Sequence, residues 1–340
     1  MNTRTRVALA AATALVAAAA ALTPAAAAPG AGSSAATLDY VALGDSYSAG
    51  AFVRPWAVDD GCGRSAVNYP RQAARRLGAR LTDVTCSAAE VRAGLLEPQT
   101  ELTGPPSVPP PGGWAARPPQ VHAVSADTDL VTVGAGGNSI GFVDIVRTCV
   151  EKGLAAFGMG NPCTTHYSRG AAAGELDRSF TTLRADLTAL LGEIRRRAPR
   201  AGVAVVGYPA VVDDGAGCGW GSWNQLGTVA KGDTAWLDSV ERRLNTVLRE
   251  EAGRAGAAYV DTYASSAGHG VCASGELRWM YGIKDTLTGE GTQSDPPSEL
   301  CRSIPARGEA CTVLHPNVRG TTHQADRVTE TLRTLGASRD

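Results

Sequence analysis

The sequence predicts an α/β fold: a parallel sheet covered by helices on both faces. Short apolar segments alternate along the chain with longer segments of helical period. The apolar segments are short enough to be buried strands. Two of them run directly into glycine-containing turns that present polar side chains. In open α/β sheets ligands bind just beyond the carboxyl ends of the strands.

Residues 1–28 stand outside that pattern. Arg4 and Arg6 precede an apolar stretch from Val7 to Leu22, and small residues follow through Ala28. That order is a secretory signal peptide, with Ala26 and Ala28 as the cleavage signature. The stretch is short for a membrane-spanning helix and rich in Ala rather than Leu. We therefore expect a cleaved leader, no stable membrane anchor and an extracellular mature chain. A flexible Gly/Ser/Ala segment at 29–36 leaves roughly 300 residues, one large domain over 37–338.

Strands are expected at Tyr40–Leu43, Leu81–Thr85, Leu130–Val133, Val203–Val206 and Ala258–Val260. Between the third and fourth, Leu176, Phe180, Leu183, Leu187, Leu190, Leu191 and Ile194 recur at helical steps. Between the fourth and fifth, Trp236, Val240, Leu244, Val247 and Leu248 form a second stripe. Both stripes read as core-facing. A last helix is expected from about Arg319 to Leu335.

Surface insertions are expected at 98–119, 150–174 and 263–311. The first carries Pro105-Pro106, Pro109-Pro110-Pro111 and Gly112-Gly113, a composition that opposes ladder pairing and favours an extended loop. The third needs tethering to stay ordered. Trp56, Trp114, Trp220, Trp223 and Trp279 fall in expected loops, either as apolar walls of a site or as covers for loop cores.

A formal net charge of −1 with 19% charged residues excludes a dominant basic face, which argues against nucleic-acid binding. The eight cysteines of an exported chain read as disulfides, because no closely spaced metal-ligating pair occurs. Sequential pairing is the expectation: Cys62 with Cys86, Cys149 with Cys163, Cys218 with Cys272, and Cys301 with Cys311. Spacing alone leaves the connectivity open.

Chemistry concentrates in three short segments. Tyr40-Val41-Ala42-Leu43-Gly44-Asp45-Ser46 is a strand stopped by a tight turn that lifts the Ser46 hydroxyl to the sheet edge. Asp129-Leu130-Val131-Thr132-Val133-Gly134 runs into Gly136-Gly137-Asn138, which presents a neutral amide donor suited to a developing oxyanion. Thr312-Val313-Leu314-His315-Pro316 precedes the last helix and places an imidazole, a proton acceptor near neutral pH, in a loop. His122, His166, His269 and His323 read as structural.

The order Gly-Asp-Ser-Tyr, Cys-Ser-Ala-Ala, Gly-Gly-Asn and His-Pro-Asn resembles the SGNH (GDSL) hydrolases, and most closely their secreted, disulfide-containing lipases and esterases from actinomycetes. The resemblance covers Asp39 to about Leu335 and is most specific over Gly44–Gly50 and Pro118–Phe142. The resemblance implies a flavodoxin-like three-layer α/β/α sandwich. It implies Ser46 as nucleophile and His315 as base. Its oxyanion hole would comprise the Ser46 N–H, a second N–H near Ala88 and the Asn138 amide. Disulfides at Cys62/Cys86 and Cys149/Cys163 fit the same subgroup. Neither metal nor organic cofactor is implied, and a monomer acting on a lipid or acyl ester is expected. Phospholipase and carbohydrate acetylesterase activity remain alternatives within the fold, as does a non-catalytic binding module that kept the fold and lost activity.

The chain departs from the family pattern in places. Ala88 stands where glycine is usual, which strains the turn if its φ is positive. Ser139 follows Asn138 where Asp is common. Thr312 occupies the place of the Asp that usually orients the histidine. Either a main-chain carbonyl, that of Thr312 first, orients His315, or a carboxylate such as Asp295 or Glu309 reaches in. Ester hydrolysis rising toward mildly alkaline pH is expected.

Overall fold

The computed structural model describes residues 37–102, 104, 109–212, 218, 222–287 and 310–337. The expected leader at 1–28 and the segment 29–36 lie outside them. The strands are β1 (Asp39–Gly44), β2 (Arg80–Asp83), β3 (Leu130–Gly134), β4 (Gly202–Val206) and β5 (Ala258–Val260). They form one parallel sheet in the order β2-β1-β3-β4-β5. The second strand ends at Asp83, short of the expected Thr85. Beyond it the Asp83 carboxylate accepts the Thr85 hydroxyl at 2.7 Å, while the Val84 and Cys86 N–H groups still donate to the Ala42 and Gly44 carbonyls at 3.1 and 2.9 Å, so the chain stays beside β1 up to Cys86.

The helices are α1 (Ser46–Ala49), α2 (Tyr69–Leu77), α3 (Phe142–Ala155), α4 (Pro162–Arg169), α5 (Glu175–Arg197), α6 (Trp223–Leu226), α7 (Thr234–Arg254) and α8 (Val318–Ala337). The two-residue period of a strand sends alternate side chains to opposite faces. Val41, Leu43, Val131, Val133, Val203 and Val205 join the core formed with Phe180, Leu187 and Leu191 of α5 and Leu244 and Leu248 of α7. Tyr40, Ala42, Leu130, Ala204 and Val206 join the opposite core with Ala73 of α2 and Val328 and Leu332 of α8. Both faces are apolar, so the strands read as continuous apolar runs, and the result is an α/β/α arrangement.

Because β2 lies on one side of β1 and β3 on the other, the winding direction reverses between β1 and β3. That switch leaves a crevice beyond their carboxyl ends. Gly44 and Gly134 face each other in register there. A Cβ on either would lie within 2.4 Å of the Ser48 hydroxyl, so only glycine admits this packing.

Among the described residues of 98–119, Gln99 and Arg117 form an antiparallel pair that closes the region, exchanging main-chain hydrogen bonds at 3.0 and 2.8 Å. The 150–174 region is largely exposed and largely helical: α3 continues to Ala155 and α4 covers Pro162–Arg169, with Cys149 bonded to Cys163 between them. Helical periodicity there is masked by Gly153, Gly158 and Gly160. Cys62 is bonded to Cys86 and Cys218 to Cys272. Cys311 is also disulfide-bonded, and its expected partner Cys301 lies outside the described residues.

Candidate active site

β1 ends in a turn whose geometry is set by Asp45. Its carboxylate caps α1 by accepting the Tyr47 N–H at 2.9 Å, and its own N–H donates to the Gly134 carbonyl at 3.0 Å. Ser46 is therefore the first residue of a one-turn helix that Gly50 ends in the left-handed region. Behind it, Gln120 accepts the Gly44 N–H at 2.7 Å and donates to the Gly44 carbonyl at 3.0 Å. This buried side chain does the work of a neighbouring strand at the point where the sheet gives way to the turn.

His315 comes from the loop before α8. Its Nε2 lies 2.6 Å from the Ser46 Oγ. Its Nδ1 donates to the Thr312 carbonyl at 2.7 Å and meets the Val313 carbonyl at 3.1 Å. Val313 and Leu314 both adopt positive φ, +38° and +63°, which curls the chain so that these carbonyls face the ring. Left-handed backbone at such residues costs on the order of 1–3 kcal/mol each and persists only where the surroundings over-determine it. Those surroundings are evident. The Val313 and Leu314 N–H groups donate to Ile283 and Gly282 at 3.1 and 2.9 Å, and the Thr312 hydroxyl donates to Gly282 at 2.8 Å. The Leu314 carbonyl accepts the Tyr47 hydroxyl at 2.7 Å. A segment of the long 263–311 region thus clamps the histidine loop. Asp295 and Glu309, the alternative carboxylates, lie outside the described residues.

β3 supplies the third group. Asn138 opens a short 3-10 turn, and its Nδ2 donates to the Ala89 carbonyl at 3.0 Å. An amide carries two N–H donors, so this bond orients the group and leaves its second N–H for a ligand. Next to it, the Ser139 hydroxyl accepts the Val91 N–H at 3.0 Å. The 88–91 turn is therefore fastened to the turn after β3 at two points, and serine suffices for a link that needs only an acceptor. Ala88 adopts φ +62°, so the alanine carries strain that glycine would not.

A pocket open to solvent is lined by Ser46, Asn138 and His315, with apolar walls that include Phe142, Val211 and Leu244. Ala88 and Thr312 do not line it. Thr312 is fully buried behind the imidazole, whereas Ala88 is exposed. Among the described residues no tryptophan lines this cavity. Trp279 stacks on His269 at 3.5 Å, Trp114 packs over Gly61, and Trp56 donates to the Ala51 carbonyl at 2.8 Å. Trp220 lies outside the described residues, and Trp223 opens α6.

Burial sets the electrostatics. It pushes His315 down to about 4, and the two carbonyls on Nδ1 offset only part of that. The imidazole is neutral at pH 7 and able to accept a proton from Ser46. Its protonated form becomes favourable when a negative charge develops beside it in the same pocket. Burial raises Asp45 to about 7, against the hydrogen bonds donated by Tyr208 and the Tyr47 N–H.

Tyr208 and the 281–283 segment were not singled out by the sequence; Gln120 lies within Pro118–Phe142, where the family resemblance is most specific, at its Pro118-Pro119-Gln120 start. Tyr208 follows β4 by two residues, at the carboxyl edge where site residues concentrate. Among the described residues, no group of His, Cys, Asp and Glu side chains is arranged to hold a metal ion.

Comparison with known proteins agrees with this geometry. The family model described as GDSL-like Lipase/Acylhydrolase matches residues 42–322. The chain is 38% identical over 248 residues to Lipase 2 of Streptomyces coelicolor, spanning 72% of this chain and 76% of that protein. It is 30% identical over 247 residues to a lipase of Streptomyces rimosus, with the same shares covered. The crystal structure of phospholipase A1 from Streptomyces albidoflavus NA297 is similar, with a TM-score of 0.61 and 25% identity over 88% of this chain and 99% of that one.

Proposed function

We propose that this chain, which belongs to the GDSL-like lipase/acylhydrolase family, hydrolyses carboxylic esters through a covalent intermediate on Ser46. Lipase or esterase activity is the family's chemistry, and the chain aligns with 76% of the length of relatives named lipase and esterase. The roles of individual residues are our reading. The observation that carries it is the 2.6 Å approach of His315 Nε2 to Ser46 Oγ inside the cavity.

Ser46 Oγ attacks the acyl carbon as His315 Nε2 takes its proton. In this reading the oxyanion is held by the Ser46 N–H and the free N–H of Asn138, with an N–H near Ala88, on the turn that Asn138 holds through the Ala89 carbonyl, as the third donor. His315 then returns the proton to the leaving alcohol, which departs. Water repeats the sequence on the acyl-enzyme, releasing the acid and restoring Ser46. The Thr312 carbonyl replaces a carboxylate in fixing the tautomer: Nδ1 keeps its hydrogen and Nε2 stays the acceptor. The apolar walls of Phe142, Val211 and Leu244 suit an acyl chain, so lipid or acyl esters are the substrate class. The signal pattern at 1–28 and the disulfides support an extracellular enzyme.

The test is hydrolysis of a p-nitrophenyl acyl ester by the protein and by Ser46→Ala, with a phosphonate adduct mapped by mass spectrometry. We expect loss of turnover in the variant and the adduct on Ser46. Equal rates in the two proteins would leave a non-catalytic module as the better reading.

A further inference from the structure

Beyond the nucleophile, the base and the oxyanion donors, one hydroxyl touches the neighbours of two of them. The Tyr208 phenol oxygen accepts the Gly137 N–H at 2.8 Å and donates a short hydrogen bond to Asp45 Oδ2. Gly137 precedes Asn138, and Asp45 precedes Ser46. We propose that Tyr208 is a positioning residue that locks the nucleophile turn and the oxyanion turn into one register through this oxygen. The inference rests on the catalytic reading given above.

The surroundings are built to hold that phenol still. Asn245 of α7 accepts the Tyr208 N–H at 2.8 Å and donates to its carbonyl at 3.0 Å, a two-point grip on the main chain. The ring meets Tyr47 edge to face, with centroids 4.9 Å apart. Gly137 lies flat against it: a Cβ there would come within 3.4 Å of the ring. Tyr208 is 6% exposed and Asp45 1%. Deletion of the hydroxyl removes the protein partner of a buried N–H and of a buried carboxylate.

The chain of donors has a direction. Gly137 N–H points to the phenol oxygen, and the phenol O–H points to Asp45, which must be an acceptor at its end. Ionised Asp45 therefore favours the locked arrangement. The titratable groups facing Asp45 are Tyr47 of α1, Tyr69 of α2, Tyr208 itself, Glu241 of α7 across the cavity, and His315 beyond Ser46. With His315 pushed well below neutrality and Asp45 raised to about 7 by burial, we expect the Asp45 carboxyl to set the acid limb of activity. Loss of the phenol donor shifts that limb to higher pH.

The experiment measures kcat and KM for p-nitrophenyl butyrate across pH 5 to 9 in the full chain. It compares wild type, Ser46→Ala, Tyr208→Phe, Asn138→Ala and the Tyr208→Phe/Asn138→Ala pair, with circular dichroism melting for each. We expect Tyr208→Phe to lower kcat about tenfold or more with KM within about twofold, and to move the acid limb upward. In the Asn138→Ala background the same deletion should cost less than about threefold, because both act on one oxyanion. Asp45→Asn, which keeps an acceptor at nearly the same shape, should abolish the acid limb, and it serves as the readout should Tyr208→Phe fail to fold. An unmoved acid limb, or a full kcat loss in the Asn138→Ala background, overturns the proposal. Turnover retained by Ser46→Ala would overturn the catalytic reading instead.

Discussion

The imidazole Nδ1 of His315 lies 2.7 Å from the carbonyl oxygen of Thr312, three residues earlier in the chain. A peptide dipole thus stands where serine hydrolases commonly place a carboxylate. It belongs to the backbone, so side-chain replacement at 312 leaves it in position. Thr312→Ala is expected to keep turnover within about one order of magnitude of wild type. It should lose about 1–2 kcal/mol of stability through the missing bond to Gly282. Asp295→Ala and Glu309→Ala are expected to be silent in the same ester assay. Loss of turnover in either would transfer the orienting role to that carboxylate.

Asn138 is expected to act through the N–H that Ala89 does not use. Asn138→Ala should lower kcat by roughly two to three orders of magnitude, as for removal of a single oxyanion donor. Asn138→Asp should be no better, since a carboxylate donates neither to Ala89 nor to an oxyanion. Steady-state kinetics on a soluble ester decides this; a loss confined to KM would place Asn138 in binding only.

Ala88 carries a testable strain. At φ +62° an alanine is disfavoured relative to glycine. Ala88→Gly is expected to stabilise the fold by up to about 1 kcal/mol while leaving kcat unchanged, because the main-chain N–H is retained. Urea unfolding with the assay run in parallel checks both halves. A destabilised variant would mean that the flexibility glycine adds to the unfolded chain outweighs the strain.

Burial of a neutral His315 links stability to pH. Its value near 4 in the folded protein lies below 6.5, so between these limits the unfolded chain holds more protons. The contribution is fully present above about pH 6.5 and is lost as pH falls through 4. Asp45 runs the opposite way. Raised from 3.8 to about 7, it favours the fold most at low pH and loses that contribution as pH rises toward 7. His315→Gln should therefore lose less stability on acidification than wild type. The gap should be on the order of 3 kcal/mol at pH 4 and absent above pH 7. Denaturant melts at these pH values provide the measurement, and parallel curves for the two proteins would contradict it.

The disulfides close loops of unequal length. Cys218 and Cys272 are 54 residues apart, Cys149 and Cys163 only 14. Constraint of the unfolded chain is worth about 4 kcal/mol for the longer loop and about 3 for the shorter. Cys218→Ala/Cys272→Ala should accordingly melt at a lower temperature than Cys149→Ala/Cys163→Ala.

Much of this was legible in the sequence because it rests on local patterns. The strand positions followed from short apolar runs. The two long helices, α5 and α7, followed from stripes at helical spacing, and α8 from the Pro316 start. Ser46, Asn138 and His315 announced themselves at strand ends and before a helix. The glycines of 153–160 hid the helical character of 150–174, since they weaken the period on which such a reading depends. What the sequence by itself determined was the set of layers and the candidate reactive groups. Only the tertiary structure decided which groups meet. The turns carrying Ser46, Ala88 and Asn138 are fixed by buried bonds from Gln120, Tyr208 and Ser139, and the 281–283 segment holds the histidine loop in a left-handed bend. These are contacts between residues distant in the chain, made by polar side chains whose partners exist only once the sheet has brought the strand ends together. No local periodicity encodes them.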